Sequence, residues 1–379
     1  MPLYHNDDQA MLADSARGFM ADEGAIAKQL RHFRDINCKD GFGHALWGQF
    51  AEMGFTGILV PEADGGLGMG HVEAGIVLEE IGRNLTPSPF LTSSVMAATA
   101  LGAGGAELRG RYLPGLIEGK SVYAVAIDEG PKHRPERIKT TATRAGNGFK
   151  LSGTKSFVVQ GASADMLVIA ARTAGSDEDD AGITLFAVPK DAAGLSLDSV
   201  RLVDSAMAAH VKLDNVQLDA DAVIGEVDGG REVLNEVLAA GRVGAAAESV
   251  GVGMGAFDMT TTYLKQRKQF GKLIGEFQSL QHRAAHLYSE LEIARAAVIK
   301  AQQLLDGGSD KADLMVSVAK AKAGQAAGLA VKEGVQMHGG IGMTDEYDIG
   351  LYMKRDRALA EFMGDQYYHA QRVAELSGY

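Results

Sequence analysis

Two apolar repeats dominate the second half of the chain. Val243, Ala247, Val250, Met254, Phe257, Thr261 and Leu264 recur at spacings of four and three, and Leu280, Ala284, Leu287, Leu291, Ala294, Val298, Ala301 and Leu305 do the same. Such spacing returns side chains to one face of an α-helix, so each segment predicts a long amphipathic helix with a buried stripe. Gln266 to His282 interrupts the pattern with Arg, Lys and Gln residues, two Phe and two Gly. That composition suits a helix-to-helix corner, and it also suits a junction that holds a planar or phosphorylated ligand. Further breaks at Gly271, at Asp306-Gly-Gly-Ser309 and at His338-Gly-Gly-Ile-Gly342 delimit four long helices after Gly229. Short connections make neighbouring helices antiparallel, which predicts an up-and-down bundle.

The rest of the chain differs in character. Residues 1 to about 120 carry helical patterns, with Asp7 and Asp8 as candidate caps and short helices at His44 to Met53 and His71 to Ile81. The loop Pro61-Glu-Ala-Asp-Gly-Gly-Leu-Gly-Met-Gly70 between these helices is read as a tight surface turn, although its glycines would also let backbone approach a ligand. From Val122 to about Leu218 the chain turns to short β-branched runs: Val122 to Ile127, Ile138 to Arg144, Phe149 to Leu151, Phe157 to Val159, Met166 to Ala171, Ile183 to Val188 and Val211 to Leu213. Ala145-Gly-Asn-Gly148 reads as a hairpin turn, and Ser176-Asp-Glu-Asp-Asp180 as a solvated loop rather than a metal site. The expected fold class is α+β, with an N-terminal helical domain (1–120), a middle antiparallel β domain (121–228) and a C-terminal four-helix bundle (229–379).

Charge and cysteine usage narrow the function. The 379 residues carry a formal net charge of -12. Phosphate neutralisation needs a concentrated excess of Lys and Arg, so nucleic acid is excluded as an expected partner. The single Cys38 rules out an intramolecular disulfide framework and is read as a packed or idle side chain. The acidic start of the chain lacks the pattern of a signal peptide, and no apolar run is long enough to span a membrane. The expectation is a cytoplasmic protein with no membrane insertion.

Two features invite chemistry but read as structural. Gly251-Val-Gly-Met-Gly-Ala256 matches a dinucleotide fingerprint, but it lies inside a helical pattern instead of after a strand, where small residues serve close packing. His338 has no second His or Cys at ligand spacing and is read as structural, so no metal is expected. No Gly-x-Ser-x-Gly elbow supports a hydrolase.

Two other motifs, with the helical–β–helical order, carry a family resemblance. Arg267-Lys-Gln-Phe270-Gly271 with Phe277-Gln278, and Gln336-Met-His-Gly339-Gly340-Ile-Gly342-Met-Thr-Asp-Glu346-Tyr, resemble segments of the acyl-CoA dehydrogenases. Pro61 to Met69 and Leu151-Ser-Gly-Thr-Lys155 add weaker matches, so the resemblance covers nearly the whole chain. It implies an FAD-dependent oxidoreductase that removes the α proton and β hydride of an acyl-CoA thioester. It further implies that Arg267, Phe270, Gln278, Gln336, Gly339 and Gly340 hold the ADP half of FAD across a subunit interface. A guanidinium fork suits pyrophosphate, Phe offers an apolar face, and glycine lets backbone approach closely.

The departures sharpen the expectation. The family's catalytic Glu occupies one of two places, and these align here with Met363, in Phe362-Met-Gly-Asp365, and with Gly241 before Arg242. Neither residue can take a proton. Glu361 and Asp365 flank Met363 but, in a continuous helix, would face elsewhere. On the flavin side, Phe157-Val-Val159 stands where the family usually has Trp-Ile-Thr, and Ile127-Asp-Glu129 lacks the following Ser. The combination resembles small subunits of heteromeric acyl-CoA dehydrogenases, such as those of pimeloyl-CoA dehydrogenase and the steroid side-chain enzymes. The resemblance implies that a homologous large subunit carries the base and that Arg242 orders the substrate side. Fatty acid or steroid side-chain degradation follows as the setting, with acyl-CoA as substrate and electron-transfer flavoprotein as acceptor. The alternatives are a self-sufficient homo-oligomer with a relocated carboxylate (Glu361, Asp365 or Glu248) and a non-catalytic structural subunit without FAD.

Overall fold

The structure is a computed structural model and describes residues 3–379. It divides into two compact units, one formed by Met1–His32, His71–Pro87 and Arg242–Tyr379, the other by Phe33–Gly70 and Ser88–Gly241. The first unit is helical. Its helices are α1 (Asp7–Asp22), α2 (His71–Asn84), α3 (Gly230–Gln266, from Arg242 onward), α4 (Gln278–Asp306), α5 (Ala312–His338), α6 (Ile349–Glu361) and α7 (Gln366–Leu376). The cap of α1 is Asn6 and not Asp7 or Asp8. Its side chain accepts from the Gln9 amide at 2.8 Å while the Gln9 side chain accepts from the Asn6 amide at 3.1 Å. Asp7 and Asp8 fall in the first turn, where negative charge complements the helix dipole.

α3 departs from the expected single stripe. From Arg242 to Ala256 every residue is buried, so this stretch is a central helix enclosed on all sides. Small residues make that possible. A Cβ on Gly251 would lie 1.9 Å from the Glu79 carbonyl oxygen, one on Gly82 2.1 Å from the Glu248 carbonyl oxygen, and one on Gly255 2.5 Å from the Arg83 carbonyl oxygen. α2 and α3 therefore cross backbone to backbone. A Cβ on Gly253 would lie 2.5 Å from Leu291 Cδ2, so the opposite side of α3 packs as closely on α4. The glycines of the apparent dinucleotide fingerprint thus serve helix packing.

The last expected helix is two. α6 ends at Glu361 and α7 begins at Gln366, so the geometry assumed for Glu361 and Asp365 on a continuous helix does not hold. Met363 takes φ 61° and Gly364 φ 98°. A left-handed Met is unfavourable unless its surroundings fix it, and here they do. Lys320, fully buried on α5, donates to the carbonyls of Leu359 at 2.9 Å and Gly364 at 3.2 Å. His369, buried on α7, lies 2.9 Å from the Met363 carbonyl. The Asp365 side chain caps α7 by accepting from the amides of Tyr367 and Tyr368. Carbonyls that the helix break leaves without intrahelical donors are thus bound by buried side chains. Burial lowers the Lys320 ammonium from 10.5 to about 8, with Asp356 the largest opposing influence.

The second unit is built on an eight-stranded sheet: β1 (Tyr123–Ala126), β2 (Thr141–Ala145), β3 (Gly148–Val159), β4 (Met166–Arg172), β5 (Ile183–Pro189), β6 (Leu195–Arg201), β7 (Met207–Leu218) and β8 (Val223–Ile224). The order is β6-β7-β3-β2-β4-β5-β8, with β1 beside β4. Most pairings are antiparallel; β1 runs parallel to β4. The two runs read at Phe149 to Leu151 and Phe157 to Val159 are one strand, bulged between Leu151 and Gly153 and between Lys155 and Val158. Phe157 sits in the second bulge with φ 52°. β6 and β8 were not anticipated, because β6 is an exposed edge rich in Ser and Asp and β8 has only two residues. The hairpin at Ala145 to Gly148 forms as expected, with Gly146 at φ 59°. The sheet core centres on Phe149 and Phe186, whose rings meet edge to face at 5.2 Å. The helices His44–Glu52, Ala98–Gly102 and Ala106–Ile117 belong to this unit, and Trp47, Phe50, Phe55 and Phe90 form a second aromatic core.

The helix crossing predicts that Gly251→Ala destabilises by about 2 kcal/mol or more, since neither backbone can yield. Gly324→Ala on α5, where a Cβ meets nothing within 4 Å, should be neutral or stabilise by about 0.5–1 kcal/mol; thermal unfolding of both variants checks the contrast. Lys320→Met leaves the Leu359 and Gly364 carbonyls without their donor and should cost about 2 kcal/mol at neutral pH. Between pH 8 and the ordinary lysine value of 10.5, the unfolded Lys320 holds a proton that the folded one releases. Wild type should therefore gain stability relative to Lys320→Met as pH rises through that window, a trend that denaturant unfolding at stepped pH would reveal.

Candidate functional site

The Arg267 to Gln278 segment forms a small projecting hairpin. Lys268–Gln269 pairs antiparallel with Lys272–Leu273. The turn residues Phe270 and Gly271 take φ 53° and 82°, as a tight hairpin turn of the type that matches strand twist requires. Phe270 consequently points outward and is 92% exposed, its ring 6.3 Å from that of Phe277. Lys272 Nζ lies 4.2 Å from the centre of the Phe277 ring. Arg267 is exposed and its guanidinium makes no hydrogen bond or ion pair among the described residues. Gln278, the first residue of α4, is exposed as well. An exposed aromatic ring and an exposed guanidinium on one short hairpin suit a planar, anionic ligand.

The second motif lies beside the first. α5 ends at His338, and Gly339 to Met343 form a short 3-10 turn, with Gly339 at φ 63°. A Cβ on Gly339 or Gly340 would meet nothing within 4 Å, so this backbone is open on its outer side. Gln336 is exposed on the last turn of α5. Tyr263, one turn before Arg267, stacks on the His338 ring at 4.4 Å and donates from its hydroxyl to the His338 carbonyl at 3.4 Å. The structure thus sets the turn of α3 that precedes Arg267 against the end of α5, one residue before Gly339. Asp348 precedes the next helix, and Asp345 and Asp348 both engage Arg31. Expected as structural, His338 is buried, and its Nδ1 lies 2.7 Å from the Gly334 carbonyl.

The candidate acid–base positions fall elsewhere. Met363 is buried at the α6–α7 break. Gly241, in the β-containing unit, packs against Met96, and a Cβ there would lie 3.0 Å from its sulfur. Glu361 pairs with Arg357 at 2.9 Å on an exposed face. Asp365 is committed to its cap, and Glu248 is buried in a pair with Arg355 at 2.5 Å. Arg242, also buried, donates to the Tyr368 hydroxyl at 3.0 Å and lies over its ring, with Asp313 at 3.9 Å. Tyr368, Lys320 and His369 escaped sequence reasoning, since their roles depend on contacts between distant helices.

In the β-containing unit, the Ile127 to Glu129 segment is closed on itself. Asp128 accepts from the Arg134 amide at 2.9 Å and lies 2.8 Å from the His133 ring. Glu129 accepts from the amides of Lys139 and Thr140 and from the buried Lys155 ammonium at 2.8 Å. Lys155 and hydrogen bonding, set against desolvation as the largest influence, hold the Glu129 carboxyl below its ordinary value. Phe157 is half exposed, with its ring edge-on to His210 at 4.8 Å. Among the described residues no group of three His, Cys, Asp or Glu could hold a metal ion, and no helix is long and apolar enough to cross a membrane.

Family models described as the N-terminal, middle and C-terminal domains of acyl-CoA dehydrogenase match residues 6–120, 130–216 and 228–377. Acyl-CoA dehydrogenase FadE12 of Mycobacterium tuberculosis is 32% identical over 322 residues, 82% of each chain. The caffeyl-CoA reductase-Etf complex subunit CarC of Acetobacterium woodii is 30% identical over 370 residues, 96% of each chain. A solved structure of a variant of the Tcur3481-Tcur3483 steroid ACAD, 30% identical, matches with a TM-score of 0.88 over 98% of both chains. The match of all three domains places the chain in the acyl-CoA dehydrogenase family, oxidoreductases that act on acyl-CoA.

Proposed function

We propose that this chain is the base-lacking subunit of a heteromeric acyl-CoA dehydrogenase and that its exposed clamp holds the ADP half of FAD bound with a homologous large subunit. The observation that carries the reading is the fate of the carboxylates. Met363 and Gly241 stand at the positions aligned with the family's base, while Glu361, Asp365 and Glu248 are each engaged in a pair or a cap. Removing a weakly acidic α proton needs a carboxylate free to receive it. Installing one at Gly241 would require Met96 to move.

The residues fit the ADP half of FAD. Phe270 offers an uncovered ring, Arg267 an unengaged guanidinium, and Gly339 and Gly340 open backbone. Arg267 would pair with the pyrophosphate through two parallel donors, Phe270 would cover an apolar face, and Gln278 and Gln336 would supply side-chain amides. When bound, FAD supplies the acceptor for the substrate's β hydride. Arg242, fixed by Tyr368 and Asp313, would order the substrate side. The self-closed Asp128–Glu129 segment and the absence of a hydroxyl at Val159 support the view that the flavin ring reacts over the partner. Support for a second chain comes from relatives: CarC is named as a subunit of a complex with Etf, which also favours electron-transfer flavoprotein as redox partner, and the steroid ACAD carries a paired designation.

Co-expression with a homologous large subunit should yield thioester oxidation and about one FAD for every two chains; the chain alone, supplied with FAD, should be inactive. Ordinary rates from the isolated chain with an electron acceptor would sink the heteromeric reading. Arg267→Ala in the mixed enzyme should weaken FAD retention about tenfold, in line with loss of a charge-assisted pair, and leave the melting temperature of the FAD-free chain unchanged because the side chain is exposed.

A further inference from the structure

The two segments of the clamp belong to different helices, and something must set their spacing. The observations converge on His338. His338 is 3% exposed, and its ring forms a cluster with two tyrosines, stacked on Tyr263 at 4.4 Å and tilted against Tyr347 at 4.8 Å, while the two tyrosine rings meet at 6.0 Å. Nδ1 faces the Gly334 carbonyl at 2.7 Å, one turn back on the same helix. Because that carbonyl can only accept, Nδ1 carries the proton, and burial favours the neutral ring. Nε2 is buried without a hydrogen-bond partner among the described residues, an unmet cost that the stacking must outweigh. One turn below, a Cβ on Gly334 would lie 3.0 Å from Thr260 Oγ1. α5 therefore reaches α3 closely at Gly334–Thr260 and is locked there at His338–Tyr263. The same turn of α3 leads into the hairpin, since the Arg267 amide donates to the Tyr263 carbonyl at 2.9 Å and the Ile274 amide to the Arg267 carbonyl at 2.9 Å.

We infer that His338 is a positioning residue that fixes the distance between the Arg267–Phe270 hairpin and the Gly339–Gly340 backbone through its stack on Tyr263. It touches no ligand itself and acts through the two segments it joins. The inference rests on the proposed role of those segments in holding the ADP half of FAD. A flexible apolar residue at 338 could fill the volume, but it would not hold a ring-to-ring spacing. A phenylalanine could keep the stack while giving up the bond to Gly334.

The test compares wild type, His338→Ala and His338→Phe in the assembled enzyme, using FAD and ADP as probes. His338→Ala should raise the Kd for both by roughly fivefold to tenfold, the scale of one aromatic contact. At saturating FAD, kcat and the KM for acyl-CoA should stay at wild-type values. His338→Phe should recover most of the lost affinity. Hydrogen exchange of the Arg267 to Leu273 amides, measured without FAD, should speed up in His338→Ala and return toward wild type in His338→Phe. Unchanged exchange in His338→Ala overturns the coupling whatever happens to FAD, and so does a Phe variant no better than Ala. Accelerated exchange alongside a wild-type enzyme that binds neither probe would uphold the coupling and defeat the ligand assignment instead.

Discussion

The helical unit depends on the crossing of α2 and α3 at backbone distance. Gly82 and Gly251 remove the side chains that would hold the two helices apart, and carbonyl oxygens occupy the space where Cβ atoms would be. Dispersion attraction rises steeply at such separations, and the Arg242–Ala256 stretch of α3 can then be enclosed on all sides. Enclosure in turn makes α3 a fixed reference. Arg242 and Glu248 on it are buried and find partners on α7 and α6, and its C-terminal turn delivers Tyr263 to α5. A rigid central helix is what allows an exposed hairpin at its end to hold a defined geometry.

The segments that carry the family motifs sit where regular structure stops. The hairpin after α3, the glycine turn after α5 and the break between α6 and α7 each use left-handed backbone, at Phe270, Gly339 and Met363. Phe270 and Met363 are not glycines, so each costs local strain that the surroundings must outweigh. At Met363 the compensation is visible in Lys320 and His369, which bind carbonyls around the break. At Phe270 the ring stays 92% exposed beside that of Phe277, and the surroundings offer no comparable compensation.

Much of the fold could be read from residue spacing. The two long apolar repeats became α3 and α4, the β-branched runs became strands, and Ala145 to Gly148 became a hairpin. Errors arose where neighbours override local pattern. Bulges at Gly153 and Phe157 interrupt the alternation of β3, so one strand shows as two runs in the sequence, and β6, an exposed edge, needs no apolar face and shows no run. The C-terminal segment was read as one helix because Phe362-Met-Gly-Asp365 contains no proline and only one glycine. The buried lysine that stabilises the break comes from α5, far away in sequence.

By itself, the sequence determined the order of helical and sheet segments, the two motifs that carry the family resemblance, and the lack of a carboxylate at Met363 and Gly241. These are matters of residue identity and short-range periodicity, which a linear chain displays directly. Only the tertiary structure decided that the fingerprint-like glycines pack helices, that Glu248, Glu361 and Asp365 are already engaged, and that Tyr263 stacks on His338. Those outcomes depend on which groups meet across helices, and a partner's distance in space is not encoded in its distance along the chain.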